Sequence, residues 1–192
     1  MARQSKMVWN TPNILTIMRL LLIPVFCVLM IKDKMTASLV VFLVAGATDL
    51  LDGYLARKQN EITAFGKLMD PLADKLMVLC LMIGLTVKNI IPLPAFIILI
   101  VKEAIMGAGT LFLLKRNKVV YSKPIGKIAQ FTLFVALVLC FFHADFNRMG
   151  FPLHLYLLWL GVALAIVSLF YYMDLNLKDA LFPPKPALQH RD

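Results

Sequence analysis

Six apolar stretches, at 14–31, 36–55, 72–87, 93–114, 125–142 and 151–173, occupy most of the 192 residues. Each approaches the roughly 20 residues that an α-helix needs to cross the hydrocarbon core of a bilayer. The segments between them are too short for a separate soluble domain, so a single membrane domain over 1–192 is expected. The expected fold class is all-α: six transmembrane helices preceded by a short interfacial N-terminal helix. Composition agrees, since 60% hydrophobic and 16% charged residues with a mean hydropathy of +0.80 are too apolar for a soluble domain of this size. The basic N-terminus leads into the first stretch with no small-residue cleavage site after it, which reads as a retained span. The third stretch is interrupted by Asp74 and Lys75. Ionisable residues at membrane depth are costly and usually functional, so that stretch draws attention.

The formal charge of +9 in a soluble chain would suggest nucleic acid, but its distribution points elsewhere. An even number of spans puts both termini on one side. That side receives Arg3, Lys6, Arg57, Lys58, Lys67, Lys115, Arg116, Lys118, Lys123, Lys127, Lys178, Lys185 and Arg191, thirteen in all. The opposite side receives Lys32, Lys34, Lys88 and Arg148, four in all. By the positive-inside rule the richer side, with both termini, is cytoplasmic. The basicity is therefore mostly topology, and no nucleic-acid partner is expected.

Thr11 followed by Pro12 has the form of a helix start, a capping residue and then proline in the first turn. Residues 121–124 read as a break between the fourth and fifth spans, and 182–186, with three prolines, as the end of helical structure. Cys27, Cys80 and Cys140 share no short spacing, and His143, His154 and His190 are scattered. Neither set indicates a disulfide framework or a zinc site. Gly107 and Gly109 offer a small-residue face for close helix packing.

The chemistry concentrates in four aspartates. Asp49 and Asp52 lie three apart near the end of the second stretch, and Asp70 and Asp74 lie four apart at the start of the third. On helices each pair shares a face. If the two helices pack antiparallel across the connection at 57–67, all four carboxylates converge near the cytoplasmic end. Such a cluster needs cations or protons. Hard oxygen ligands point to magnesium, manganese or calcium, and two divalent ions would neutralise four carboxylates and can clamp a phosphoryl group. Gly53, Ala56 and Gly66 would let a nucleotide or pyrophosphate approach the backbone, and Arg57 can pair with phosphate oxygens.

The strings DLLDGYLAR at 49–57 and GKLMDPLAD at 66–74 match, without a mismatch, the signature DxxDGxxAR followed by GxxxDxxxD. On these residues the chain resembles the CDP-alcohol phosphotransferase family. The resemblance implies the same six-helix architecture and a homodimer. It also implies that Asp49, Asp52, Asp70 and Asp74 bind two divalent metals, Mg2+ or Mn2+, with Asp74 the general base, and that Gly53, Ala56, Arg57 and Gly66 hold the CDP moiety. A hydroxyl deprotonated beside the metals would then attack the phosphatidyl phosphorus of CDP-diacylglycerol directly and release CMP.

The acceptor must be read elsewhere. The stretch 66–75 and the entry at 11–16 with Arg19 look like the bacterial phosphatidylglycerophosphate synthases, which favours glycerol 3-phosphate and a bacterial cytoplasmic membrane. Lys123 and Lys127, near the start of the fifth stretch, are candidates for the acceptor phosphate. Lys102 and Arg19, inside apolar stretches, are further candidates, with snorkelling to the interface as the alternative. The chain departs from that branch at Lys102–Glu103, where an arginine usually precedes the glutamate, and at 128–130 after Gly126–Lys127. Inositol phosphate, serine and phosphatidylglycerol stay open as acceptors. From other classes, a divalent-cation transporter or a noncatalytic scaffold could also carry acids in its spans, but the second half holds no matching acidic pair.

Overall fold

The computed structural model describes residues 11–59, 64–115 and 124–181, and every regular element in them is helical. In chain order these are α1 (Thr11–Ile31), α2 (Met35–Gln59), α3 (Ala64–Val87), α4 (Leu93–Lys115), α5 (Pro124–Cys140), α6 (His143–Arg148) and α7 (Leu153–Leu181). Six of them correspond to the six apolar stretches. The expected interfacial helix and the breaks at 121–123 and 182–186 fall wholly or largely outside the described residues. The short α6, which hydropathy alone does not reveal, sits between the fifth and sixth stretches. Helix α1 runs from the first described residue, Thr11, so its start, expected there, lies at the edge of the described residues. Helix α3 is already helical at Ala64, eight residues before its apolar stretch.

Two stretches, Leu93–Thr110 in α4 and Leu153–Asp174 in α7, are long and apolar enough to cross a membrane, with mean hydropathies of 1.6 and 2.2. Only 17% and 33% of them is buried within the protein, unlike the core helices of a soluble fold. Apolar side chains such as Leu21, Val40, Ile83, Ile97, Phe131 and Phe170 face outward from α1, α2, α3, α4, α5 and α7 respectively. An aqueous surface does not tolerate so broad an apolar skin; a lipid one requires it.

Hydroxyl residues are accommodated locally. Ser38, Thr48, Thr86, Thr110 and Thr132 each donate to a carbonyl three or four residues earlier, at 2.7–2.9 Å, which satisfies the hydroxyl without a partner helix. Pro24 lacks the amide that would reach the Leu20 carbonyl, a loss that membrane helices tolerate. Helices α1, α3 and α6 end alike. Asp33, Asn89 and Gly150 take positive φ (56°, 58° and 70°), and paired backbone bonds close each end, Lys34 N to Leu29 O with Asp33 N to Met30 O, for example. This is the Schellman arrangement.

The described residues fall into two units. The first holds α1, α2 and α3. Phe26 of α1 meets Phe42 of α2 at 6.4 Å between ring centroids, and Arg19 of α1 reaches Ala45, so α1 and α2 run antiparallel. Cys27 and Cys80 are neighbours, lining one cavity with Met30 and Gly84. Gly84 lies so close to Met30 that an added Cβ would stand 2.7 Å from its Cε. Both pairings run in the same direction, so α1 and α3 are parallel. The core is the stripe Ala73, Met77, Leu81 and Leu85 of α3 against Phe26 and Met30 of α1. The two loop ends are tied by an ion pair between Lys88 and Asp33.

The second unit holds α4, most of α5 and α7. Gly126 faces Ser168 and Gly161 faces Leu133, so α5 and α7 run antiparallel. Gly109 and Thr110 of α4 meet Tyr172 of α7, whereas Gly107 faces open space. His154 is buried and stacks on Phe146, with ring centroids 5.9 Å apart. A Cβ at Gly161 would stand 2.7 and 2.9 Å from Leu133 side-chain atoms and 3.3 Å from its backbone nitrogen. Gly161→Ala therefore forces α5 and α7 apart and costs about 1–3 kcal/mol, while Gly107→Ala, whose added Cβ meets nothing, is neutral to stabilising by up to about 1 kcal/mol. Thermal unfolding of the two variants in the same detergent checks the contrast; equal behaviour would remove the argument for tight α5–α7 packing.

Candidate active site on the α2–α3 hairpin

Asp49, Asp52, Gly53, Ala56 and Arg57 all lie on α2, and Gly66, Asp70 and Asp74 all lie on α3. The connection expected at 57–67 is therefore largely helical, and only 60–63 falls outside the described residues. For seven of these eight positions the backbone alone is described; the Asp74 side chain is described and is exposed.

Counting along the helices gives a register. Asp49 lies ten residues before the end of α2, and Asp74 ten residues after the start of α3, each about 15 Å from the connection at 1.5 Å per residue. Asp52 and Asp70 lie about 10 Å from it by the same count. Asp49 and Asp52 thus lie on the last described turns of α2, and Asp70 and Asp74 on the first described turns of α3.

Among the described side chains no group of three or more potential metal ligands occurs, Asp74 being the member of the tetrad included there. The donor set fits a metal centre by its chemistry: four carboxylates, two per helix, each pair one turn apart, suit hard divalent ions.

The acceptor candidates are dispersed. Lys123 lies outside the described residues. Lys127 is exposed on the first turn of α5. Lys102 is 6% exposed on α4, and its Nζ donates to Glu103 Oε1 at 2.7 Å, so it is engaged with its neighbour instead of snorkelling. Arg19 is 1% exposed on α1, and its Nε donates to the Ala45 carbonyl of α2 at 3.4 Å. Snorkelling is excluded for it as well. Thr16, one turn before Arg19 on the same buried face, is fully buried; the sequence reading included it in the entry at 11–16 but gave it no role of its own. Its signal was there: a polar pair three apart inside an apolar stretch, in phase with Phe26 and Met30.

Comparison with known proteins adds to this geometry. A family described as CDP-alcohol phosphatidyltransferase matches residues 9–167. The "CDP-diacylglycerol–glycerol-3-phosphate 3-phosphatidyltransferase" of Bacillus subtilis is 32% identical over 184 residues, covering 88% of this chain and 95% of that protein. The protein of the same description from Rickettsia typhi is 37% identical over 132 residues, covering 67% of this chain and 72% of its own. The human "Cardiolipin synthase (CMP-forming)" is 38% identical over 110 residues, 57% of this chain and 36% of that protein.

Proposed function

The chain belongs to the CDP-alcohol phosphatidyltransferase family, and from that premise we infer that it transfers the phosphatidyl group of CDP-diacylglycerol to glycerol 3-phosphate, giving phosphatidylglycerophosphate and CMP. The chemistry is supported by the spacing of the four aspartates, two on α2 and two on α3, each pair one turn apart. The acceptor assignment is supported by the similarity to the Bacillus subtilis transferase along nearly the whole of both chains.

Enzymes of this family typically depend on a divalent metal. Here Asp49, Asp52, Asp70 and Asp74 would hold two such ions, Mg2+ or Mn2+, which supply charge neutralisation at the phosphoryl oxygens. Gly53, Ala56 and Gly66 keep the helix surface low for the cytidine diphosphate, and Arg57 pairs with its phosphate oxygens. Asp74 takes the proton of the acceptor hydroxyl. The freed oxygen forms a new bond to the phosphatidyl phosphorus as the bond from that phosphorus to CMP breaks, and the electron pair leaves with CMP. No protein nucleophile is required. We assign Lys127 and Lys123 to the acceptor phosphate by their charge and sequence setting, with Lys102, which bonds Glu103, a further candidate.

By the positive-inside bias we read both termini and the site as cytoplasmic, in a six-span domain of a bacterial inner membrane that works as a homodimer, as the family resemblance implies. The similarity to a cardiolipin synthase favours one second reading, in which phosphatidylglycerol replaces glycerol 3-phosphate. Purified protein with Mg2+ or Mn2+ is expected to release CMP from CDP-diacylglycerol with glycerol 3-phosphate, and less than a tenth as fast with inositol 1-phosphate, serine or phosphatidylglycerol. Faster release with any of the other three would replace the acceptor and leave the family chemistry standing.

A further inference from the structure

We propose that Arg19 is a positioning residue for the reaction: it clamps the acid-bearing end of α2 against α1, instead of binding the acceptor phosphate. The inference rests on the chemistry assigned above to the α2–α3 hairpin.

Three observations carry it. The first is burial. Arg19 is 1% exposed and Thr16 fully buried, whereas farther along the same face of α1 the buried residues are Phe26 and Met30. The stripe is polar only at the end where α2 carries its aspartates. A guanidinium at this depth is expensive, stays charged, and persists where it has a function and backbone carbonyls to engage.

The second is the bond to Ala45. That carbonyl lies four residues, one turn or about 6 Å, before Asp49. It also receives the Thr48 hydroxyl at 2.7 Å, so two side chains converge on the turn leading into the DLLD segment.

The third is the register with α3. Cys27 meets Cys80, and Met30 meets Gly84. Carrying the same offset back along these parallel helices brings Arg19 within about a turn of Ala73, the neighbour of Asp74. Arg19 thus lies about one turn from Asp49 along α2 and near the level of Asp74 on α3, and it is sealed from solvent. Its Nε reaches the backbone of α2, and that contact sets where α2 stands.

The experiment compares Arg19→Met, Arg19→Lys and Thr48→Val in purified full-length protein, reading kcat and KM for acceptor and CDP-diacylglycerol together with thermal unfolding. For Arg19→Met, kcat is expected to fall roughly 10- to 100-fold, as for contacts that orient a reacting group, with both KM values within twofold of the parent. Arg19→Lys, which keeps a charged donor, recovers part of that loss, and Thr48→Val stays within threefold. A raised acceptor KM with kcat retained would make Arg19 a phosphate contact and overturn the proposal. A lowered unfolding temperature with unchanged kcat in the folded fraction would make it merely structural, and a Thr48→Val loss equal to that of Arg19→Met would reduce it to general damage in α2. If Arg19→Met does not fold, Arg19→Lys decides by the same kcat–KM split. The kinetics use whichever acceptor the parent protein accepts, so a wrong acceptor assignment would appear in the parent and leave this comparison intact.

Discussion

Asp74→Asn is expected to leave a folded protein that releases CMP about 10³-fold more slowly than the parent, a loss of about 4 kcal/mol in transition-state stabilisation. Asparagine keeps the size and one oxygen but can neither take the acceptor's proton nor contribute a negative charge. Its side chain is exposed on α3, so the change in unfolding free energy should stay within about 0.5 kcal/mol. Measuring CMP release and thermal unfolding on one preparation separates the two effects. Retention of more than a tenth of the parent rate would remove Asp74 from the catalytic role. Loss of rate together with a large drop in unfolding temperature would show a structural role instead. Because the assay reads CMP, it tests the base whichever acceptor is used.

Stripping divalent ions is the second large effect. Chelation should bring CMP release to background, a fall of at least about 10³-fold, with Mg2+ or Mn2+ restoring it. A binding readout independent of turnover accompanies this: an ion that binds only the folded state adds about 2.7 kcal/mol of stability at a hundredfold excess over its dissociation constant. Mn2+ should therefore raise the unfolding temperature of the parent protein. The rise should shrink in the double variant Asp49→Asn, Asp52→Asn, where the α2 half of the donor set is neutral. Undiminished stabilisation in that variant would show that the ions bind elsewhere, and full activity in chelator would remove metal from the reaction.

The helical architecture and the acid motif were both legible in the residues, for different reasons. Apolar stretches of near-span length have no other stable solution in lipid, since each backbone amide and carbonyl must be satisfied within its own segment. The DLLDGYLAR and GKLMDPLAD strings carry their meaning in fixed spacing, which one helix turn converts into shared faces. Less legible were the helix limits. Residues 64–67 fall in the connection expected at 57–67, yet they are helical in α3, because a helix already nucleated in its apolar part propagates at little cost. The short α6 and the positive-φ turns at Asp33 and Asn89 escaped for a related reason: they are set by backbone bonds closing helix ends, which no apolar period reports.

Arg19 and Lys102 show where reading by composition stops. Each is a cation in an apolar stretch, and snorkelling and burial are equally compatible with that pattern. The fold separated them from water and gave them different partners, a carbonyl of α2 for Arg19 and the adjacent Glu103 for Lys102. Cys27 and Cys80, fifty-three positions apart and unremarkable in the chain, became neighbours only because α1 and α3 run parallel.

By itself, then, the sequence determined that the chain is helical and apolar enough for lipid, and that its four aspartates come in two one-turn pairs, since both properties follow from local spacing and side-chain transfer energy. Tertiary structure alone decided that α1 packs against α2 and α3, and that Arg19 lies buried with its Nε on a carbonyl one turn before Asp49. Those outcomes depend on how helices distant in sequence pack side by side, and a periodicity within one helix carries no information about which neighbour covers it.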